Sequence, residues 1–204
     1  FYYRYPWEKR GKITGFLQKV PLRVYGDGIH TLKELILKNS KSKKHLESLH
    51  ARHGANFHTV LAKGELYKLS DAGNHNRGAQ FIDLKKEIDD SLLNILDSIS
   101  HSINDFFYGR YDIMCDSIEE LKSGKFKILE YNGCGAEPNH FYDTGYTLRR
   151  AYLEIMMHWK KLFTISRYNH LQGHSYWPFM KGLRFLGETK KYFKIAREAD
   201  RRIP

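Results

Sequence analysis

Gly109-Arg110-Tyr111-Asp112-Ile113 and, beyond a polar break at Ser123-Gly124, Ile128-Leu129-Glu130-Tyr131-Asn132-Gly133 are the two stretches whose reading decides the fold. Both alternate charged or amide residues with aromatic and aliphatic ones, which predicts strands over residues 108–117 and 125–132, joined across that break. Side chains alternate along a strand, so Arg110 and Asp112 share one face, as do Glu130 and Asn132. Pairing about the turn brings Asp112 opposite or diagonal to Glu130. Met114, Phe126 and Ile128 are expected to flank the two carboxylates on that face, where unpaired charge is costly to bury. Two resolutions stay open. A hard cation such as magnesium takes oxygen ligands of this kind, completed by phosphate oxygens and water. Without one, Arg110 pairs with a carboxylate at a strand edge. In the first case the two carboxylates repel one another when the site is empty.

Outward from this hairpin, Ile88, Leu92, Ile95, Leu96, Ile99, Ile103 and Phe106 recur at spacings of three and four, predicting a helix after Asp83. Residues 1–6 and 13–25 read as extended, the second stretch broken at Pro21, and Gly26-Asp27-Gly28 is a tight turn. Thr31 and Glu34 have capping-box spacing ahead of a short helix carrying Leu32, Leu35 and Ile36. Residues 38–54 read as loop and helix. A hairpin is predicted over 57–62 and 65–69 around Lys63-Gly64, then a polar loop over 70–78 and a short strand over 79–82. Beyond Thr147 the spacing of Leu148, Tyr152, Ile155, Met156 and Trp159 is helical again, and the chain ends basic and aromatic. Antiparallel hairpins with intervening helices define the class as α+β, an antiparallel sheet flanked by helices with a C-terminal helical extension. Residues 1–143 form the first part and residues 144–204 a basic helical extension.

The 204 residues are 41% hydrophobic and 14% aromatic with 5 prolines, which excludes a disordered or low-complexity chain. No apolar run approaches the roughly 18 residues of a membrane span, and no signal-peptide pattern opens the sequence, so no membrane partner is expected. Two cysteines, Cys115 and Cys134, are too few for a disulfide framework, and a cytoplasmic location is the expectation. The first residue, Phe1, falls inside a strand-like run, as though the sequence started within a domain. Net charge is +11 and uneven: +7 over residues 1–50, −4 over 51–159 and +8 over 160–204. A basic frame around an acidic centre suits a polyanion whose charge is partly offset by metal ions, and it equally suits a solvated surface.

The order Gly109-Arg110-x-Asp112-Ile113, then Lys127-Ile128-Leu129-Glu130-x-Asn132-Gly133, resembles the C-terminal half of the ATP-grasp superfamily, especially D-alanine–D-alanine ligase-like proteins. Val24-Tyr25-Gly26-Asp27-Gly28, continuing to Thr31-Leu32-Lys33-Glu34-Leu35-Ile36, resembles a segment of the cyanophycin synthetase-like members, and Asn74-His75-Asn76-Arg77-Gly78-Ala79 resembles the segment preceding their long helix. The resemblance implies an ATP- and magnesium-dependent carboxylate–amine ligase, with small-molecule acid and amine as partners and an acyl phosphate between them. It implies that Asp112, Glu130 and Asn132 hold one or two magnesium ions. Arg77 and Asn74 would face the nucleotide's terminal phosphate, and Arg110 an oxyanion near the acceptor. Gly133, Cys134 and Gly135 would line the acceptor, though by themselves they are equally an ordinary turn. Two departures stand out. The family's N-terminal half, with its phosphate-clamping lysines and adenine-hinge carboxylate, is not matched, and Phe1–Pro6 resembles the strand after that hinge, so the sequence alone is expected to be inactive. The Pro-Gly step usual after the Asn in D-alanine ligases is also replaced, by Gly133-Cys134-Gly135.

Other classes are weaker. His45, His50, His53 and His58 cluster, and His170 and His174 lie four apart, but no zinc signature surrounds them and solvated histidines are the expectation. Cys134 reads as a reactive thiol or, more simply, a small residue in a tight loop. Tyr2, Tyr3, Tyr5 and Trp7 interleave with Arg4 and Lys9 as in single-strand nucleic-acid binders. Such a module has no use for Glu-x-Asn after an apolar strand, and a sheet packed on both faces accounts for the aromatics. A non-catalytic remnant of the ligase fold is the remaining alternative, and a homo-oligomer stays open.

Overall fold

The computed structural model describes residues 1–142 and 144–200. Four short strands come first: β1 (Tyr2–Tyr3), β2 (Lys12–Ile13), β3 (Leu17–Val20) and β4 (Arg23–Tyr25). Helix α1 (Leu32–Lys38) begins where its caps allow: the Thr31 hydroxyl accepts from Glu34 N–H, and the Glu34 carboxylate accepts from Thr31 N–H at 2.8 Å. Its buried face is Leu32, Leu35 and Ile36. Helices α2 (Ser40–Lys43) and α3 (Leu46–His53) follow, then β5 (Leu66–Lys68), β6 (Gln80–Asp83) and α4 (Asp90–Ser102). Strand β7 (Tyr108–Met114), helix α5 (Ile118–Lys122) and strand β8 (Lys127–Asn132) precede two long helices, α6 (Leu148–Leu171) and α7 (Phe179–Asp200).

The class is α+β with antiparallel pairing, but the strands divide into three sheets where one was expected. One has the order β2-β1-β7-β8, and β3–β6 and β4–β5 pair separately. The predicted hairpin over 57–62 and 65–69 does not form. Strand β5 pairs with β4, Val24 opposite Tyr67. Phe57 and Leu61 turn inward to bury against α1 with Leu22, Val24 and Leu32, so the apolar pattern of 57–62 serves packing instead of a ladder. The two strands of the deciding hairpin are likewise not joined by a simple turn. Ser117 caps a five-residue helix by accepting from Glu120 N–H at 3.1 Å, and Ser123-Gly124 ends it.

Helix α4 supplies the support under this sheet. Asp89 caps it by accepting from Leu92 N–H at 2.9 Å, and Leu92, Leu96 and Ser100, four apart, are buried. Tyr2, Leu92, Leu96, Phe106 and Leu121 form one core cluster, joined by Tyr111, Ile113 and Phe126. Two tyrosines tie the sheet to the helix: Tyr2 donates to Asp97 at 2.6 Å, and the Tyr111 and Ser100 hydroxyls meet at 2.8 Å. On the opposite face Tyr3, Tyr108 and Ile165 form a second cluster with Phe107 and Leu162. The N-terminal aromatics therefore pack both faces of a sheet.

Phe1–Ser166 is one compact unit, and a second begins at Arg167, so about four-fifths of α6 belongs to the first unit. Within the second unit, His170 stacks on Tyr176 at 4.0 Å, and Lys181 lies over the Trp177 ring at 4.5 Å. Among the described residues no helix is long and apolar enough to cross a membrane.

Candidate functional site

Strands β7 and β8 pair with Asp112 opposite Glu130 and Arg110 opposite Asn132, so the four polar side chains expected to share a face do occupy facing positions. A register shift between Asp112 and Ile113 leaves Leu129 as an extra residue on β8. Beyond it, Ile113 faces Ile128 and Met114 faces Lys127. This corrects the expected apolar surround: Phe126 packs with Ile113 in the core on the α4 side, and Ile128 pairs with Ile113 rather than lining up below Glu130.

Asp112 is held from two sides. Arg110 Nε donates to its Oδ1 at 3.0 Å, and Lys19 Nζ lies 2.9 Å from its Oδ2. These side chains are only 15% (Asp112), 20% (Arg110) and 26% (Lys19) exposed, so the pairs are shielded from much of the solvent screening that weakens surface ion pairs. The mutual repulsion expected of two carboxylates is thereby offset at Asp112. Lys19 was not legible as a site residue, because it sits in β3, which pairs with β6 in another sheet. Glu130 is exposed and, among the described residues, engages no ion pair or side-chain hydrogen bond. The Asn132 amide nitrogen is buried without a partner. The Asp112 and Glu130 carboxylates and the Asn132 amide oxygen are the oxygen ligands a hard cation takes; Glu130 is unengaged, while both Asp112 oxygens are already paired with Arg110 and Lys19.

Lys19, Arg110 and Asp112 line a cavity of about 470 Å³, with Asp71 and Gly73 at its wall. The loop over residues 70–78 lies close here: a Cβ on Gly73 would meet Lys19 Cβ at 3.2 Å. Asn74 and Arg77 belong to this loop and are exposed, Arg77 closing a 3-10 turn at Gly78, whose φ is 83°. Neither side chain lines the cavity. His75 stacks on Tyr142 at 4.9 Å, which ties this loop to the segment after β8. In that segment Gly133, Cys134 and Gly135 make a turn closed by Ala136 N–H donating to the Gly133 carbonyl at 3.0 Å, with open space around both glycines. Cys134 and Cys115 are free and exposed.

The N-terminal histidines do not assemble a site. His53 bridges the Leu69 carbonyl and the Tyr67 hydroxyl, and His50 packs edge-on to Phe57. Another group does assemble: His140, Glu154 and His158, whose ligand atoms all lie within 4.8 Å of one another. Burial holds the His158 imidazole down to about 3 and lowers His140 as well, with Glu154 opposing in part, so both rings are neutral at pH 7. The only sequence signal was the four-residue spacing of Glu154 and His158 on a helix, since His140 lies in the loop before it.

No family model and no curated protein matches the chain. Among solved structures, the bifunctional glutathione synthetase from Pasteurella multocida is similar, with a TM-score of 0.47 and 18% sequence identity over 78% of this chain. The chain spans about a quarter, 24%, of that enzyme's length.

Proposed function

We propose that this chain is the metal- and phosphate-binding part of an ATP-dependent carboxylate–amine ligase of the ATP-grasp superfamily. The observation that carries the reading is the β7–β8 face, where Asp112 stands opposite Glu130 and Arg110 opposite Asn132, and where Arg110 and Asp112, though not Glu130 or Asn132, line a cavity that Asp71 and Gly73 also border. The loop over residues 70–78 carries Asn74 and Arg77, and its contact with Lys19 supports its place beside the same cluster. The D-alanine–D-alanine ligase-like group is the branch that the Gly109–Ile113 and Lys127–Gly133 segments resemble, while the Gly133-Cys134-Gly135 turn points to a different acid and amine.

Asp112, Glu130 and Asn132 would hold one or two magnesium ions, which offset the charge of the ATP phosphates. Lys19 then exchanges its hold on Asp112 for a phosphate oxygen, and Arg77 and Asn74 face the terminal phosphate. Transfer of that phosphoryl group to a substrate carboxylate gives ADP and an acyl phosphate. Arg110 steadies the oxyanion as the amine adds to the acyl carbon, phosphate leaves and the nitrogen loses its proton. Backbone N–H groups of residues 133–135 are suited to the acceptor carboxylate.

Titration calorimetry of the chain with ADP, GDP and pyrophosphate, each with and without magnesium, tests this. Binding should require magnesium, tolerate the base and weaken as salt rises, because partly exposed charges are screened over about 8 Å at physiological ionic strength. Asp112→Asn and Glu130→Gln should each abolish it. Failure of magnesium pyrophosphate to bind, or binding unchanged in both variants, would refute the reading.

A further inference from the structure

Helix α6 places Glu154 and His158 one turn apart on the same side, which brings their side chains together. The 3-10 turn Asn139–Phe141 then brings His140 to the same point. Oε1 of Glu154 lies 3.2 Å from Nε2 of His140 and 3.2 Å from Nε2 of His158. Beyond that shared carboxylate oxygen the two Nε2 atoms have no partner, and His140 Nδ1 has none at all; all three nitrogens are buried. His140 is 6% exposed and His158 1%, so no solvent satisfies them, and buried polar atoms without partners are uncommon in folded proteins.

The rest of the surroundings is arranged to fix the rings. The Tyr108 hydroxyl lies 2.7 Å from His158 Nδ1, so that nitrogen is engaged and Nε2 is left for the cluster. A Cβ on Gly15 would overlap the His140 ring, so the glycine is what lets that imidazole seat. Two donors bound tetrahedrally at about 2.0–2.1 Å to one ion stand about 3.3 Å apart. The two Glu154–histidine separations of 3.2 Å match that edge.

We propose that His140, Glu154 and His158 form a binding site for a divalent transition metal, zinc by ligand type, with a fourth position open to water. Two imidazoles and one carboxylate are a donor set that zinc accepts and magnesium does not favour. In the bound form His158 Nδ1–H donates to the Tyr108 oxygen, the outer-shell contact that commonly orients a metal-bound histidine. The ion would pin the loop after β8, in which Gly133–Gly135 lies, to α6. Its ligands are other residues than Asp112, Glu130 and Asn132, although His140 borders the cavity that Arg110 and Asp112 line, and it does not depend on the ligase reading.

The test uses the full 204-residue chain, stripped with a chelator and then titrated with zinc or cobalt. One equivalent of zinc should bind more tightly than any taken up by the exposed histidines and should raise the melting temperature. Cobalt at that site should show the visible absorption of a four-coordinate centre. Glu154→Gln and His158→Gln should lose that equivalent while a His50→Ala, His174→Ala control keeps it. Tyr108→Phe, which keeps the ring and removes the outer-shell hydroxyl, should weaken zinc by about ten- to a hundredfold. Should the ligand variants fail to fold, X-ray absorption of the zinc-loaded wild type still decides, with two imidazoles per zinc expected. A wild-type chain that retains no zinc, a zinc shell without two histidines, or folded ligand variants that bind as the wild type does would overturn the site. Loss of magnesium pyrophosphate binding in Asp112→Asn should leave the zinc equivalent in place, so the two readings fail separately.

Discussion

On one face of the β7–β8 pair, Tyr111 and Ile113 close over Leu92 and Leu96 of α4. On the other, one residue along in each case, Arg110 and Asp112 meet Lys19 at a cavity wall. The inner face is held by burial, which acts at every residue it covers, and fixes the register between the strands. The outer face is held by two ion pairs on a single carboxylate, and it leaves Glu130 unengaged. The inner face carries the stability, and it aligns the positions at which the outer face presents its polar groups.

The largest break in this contrast should come from the inner side. Leu96→Ala, at a residue 6% exposed, should cost about 2–5 kcal/mol in urea denaturation, with no change at any charged residue. Asp112→Asn comes next, because it leaves Arg110 and Lys19 facing each other across a neutral amide. A loss of about 1–3 kcal/mol is expected, and adding Lys19→Met should recover part of it. No loss at all would mean the pairs contribute nothing and the outer face is held entirely from within.

Alkali reaches a group on the inner face, and a single substitution isolates it. Burial pushes the Tyr111 hydroxyl from 10.0 up to about 12. A group raised in the folded state contributes stability that is whole below the unfolded value and is lost as pH climbs through the window from 10 to 12. Tyr111→Phe should therefore flatten the decline in denaturation midpoint across that window, by about 1 kcal/mol near pH 11. A slope equal to the wild type's would place Tyr111 in contact with water. The smallest effect belongs to Glu130→Gln, which should stay within about 0.5 kcal/mol of the wild type in the absence of ligand. A marked loss there would show that Glu130 has a structural partner and is not held in reserve.

What the sequence made legible was local. The Thr31–Glu34 box, the three-and-four spacing of α4 and the alternation that puts Arg110 with Asp112 each depend on residues a few positions apart. The exceptions show the limit. Helix α5 escaped notice although Ser117 and Glu120 have capping spacing, because five residues carry no periodicity to read. The pairing of β5 with β4, the approach of Lys19 to Asp112 and the meeting of His140 with Glu154 and His158 are tertiary events. No spacing rule connects a lysine on β3 to an aspartate on β7. The histidines conspicuous along the chain are mostly exposed, as at His50, His58, His170 and His174, while the two that gather around a carboxylate stand eighteen residues apart, one in a loop and one on a helix.

The extra residue at Leu129 has a consequence for aim. Its side chain is 64% exposed and adds little to any core, so its chemistry is nearly free to vary. The count around it is not. Strand β8 uses two residues, Leu129 and Glu130, where β7 uses one, so Ile128 and Glu130, two apart, face the neighbours Ile113 and Asp112. Removing Leu129 would leave a regular ladder with the same pairs, so what the extra residue adds is bend and twist beside the carboxylates. The segment should therefore accept many letters at this position, and its deletion should keep the register while re-aiming Glu130, a hinge pin one residue long.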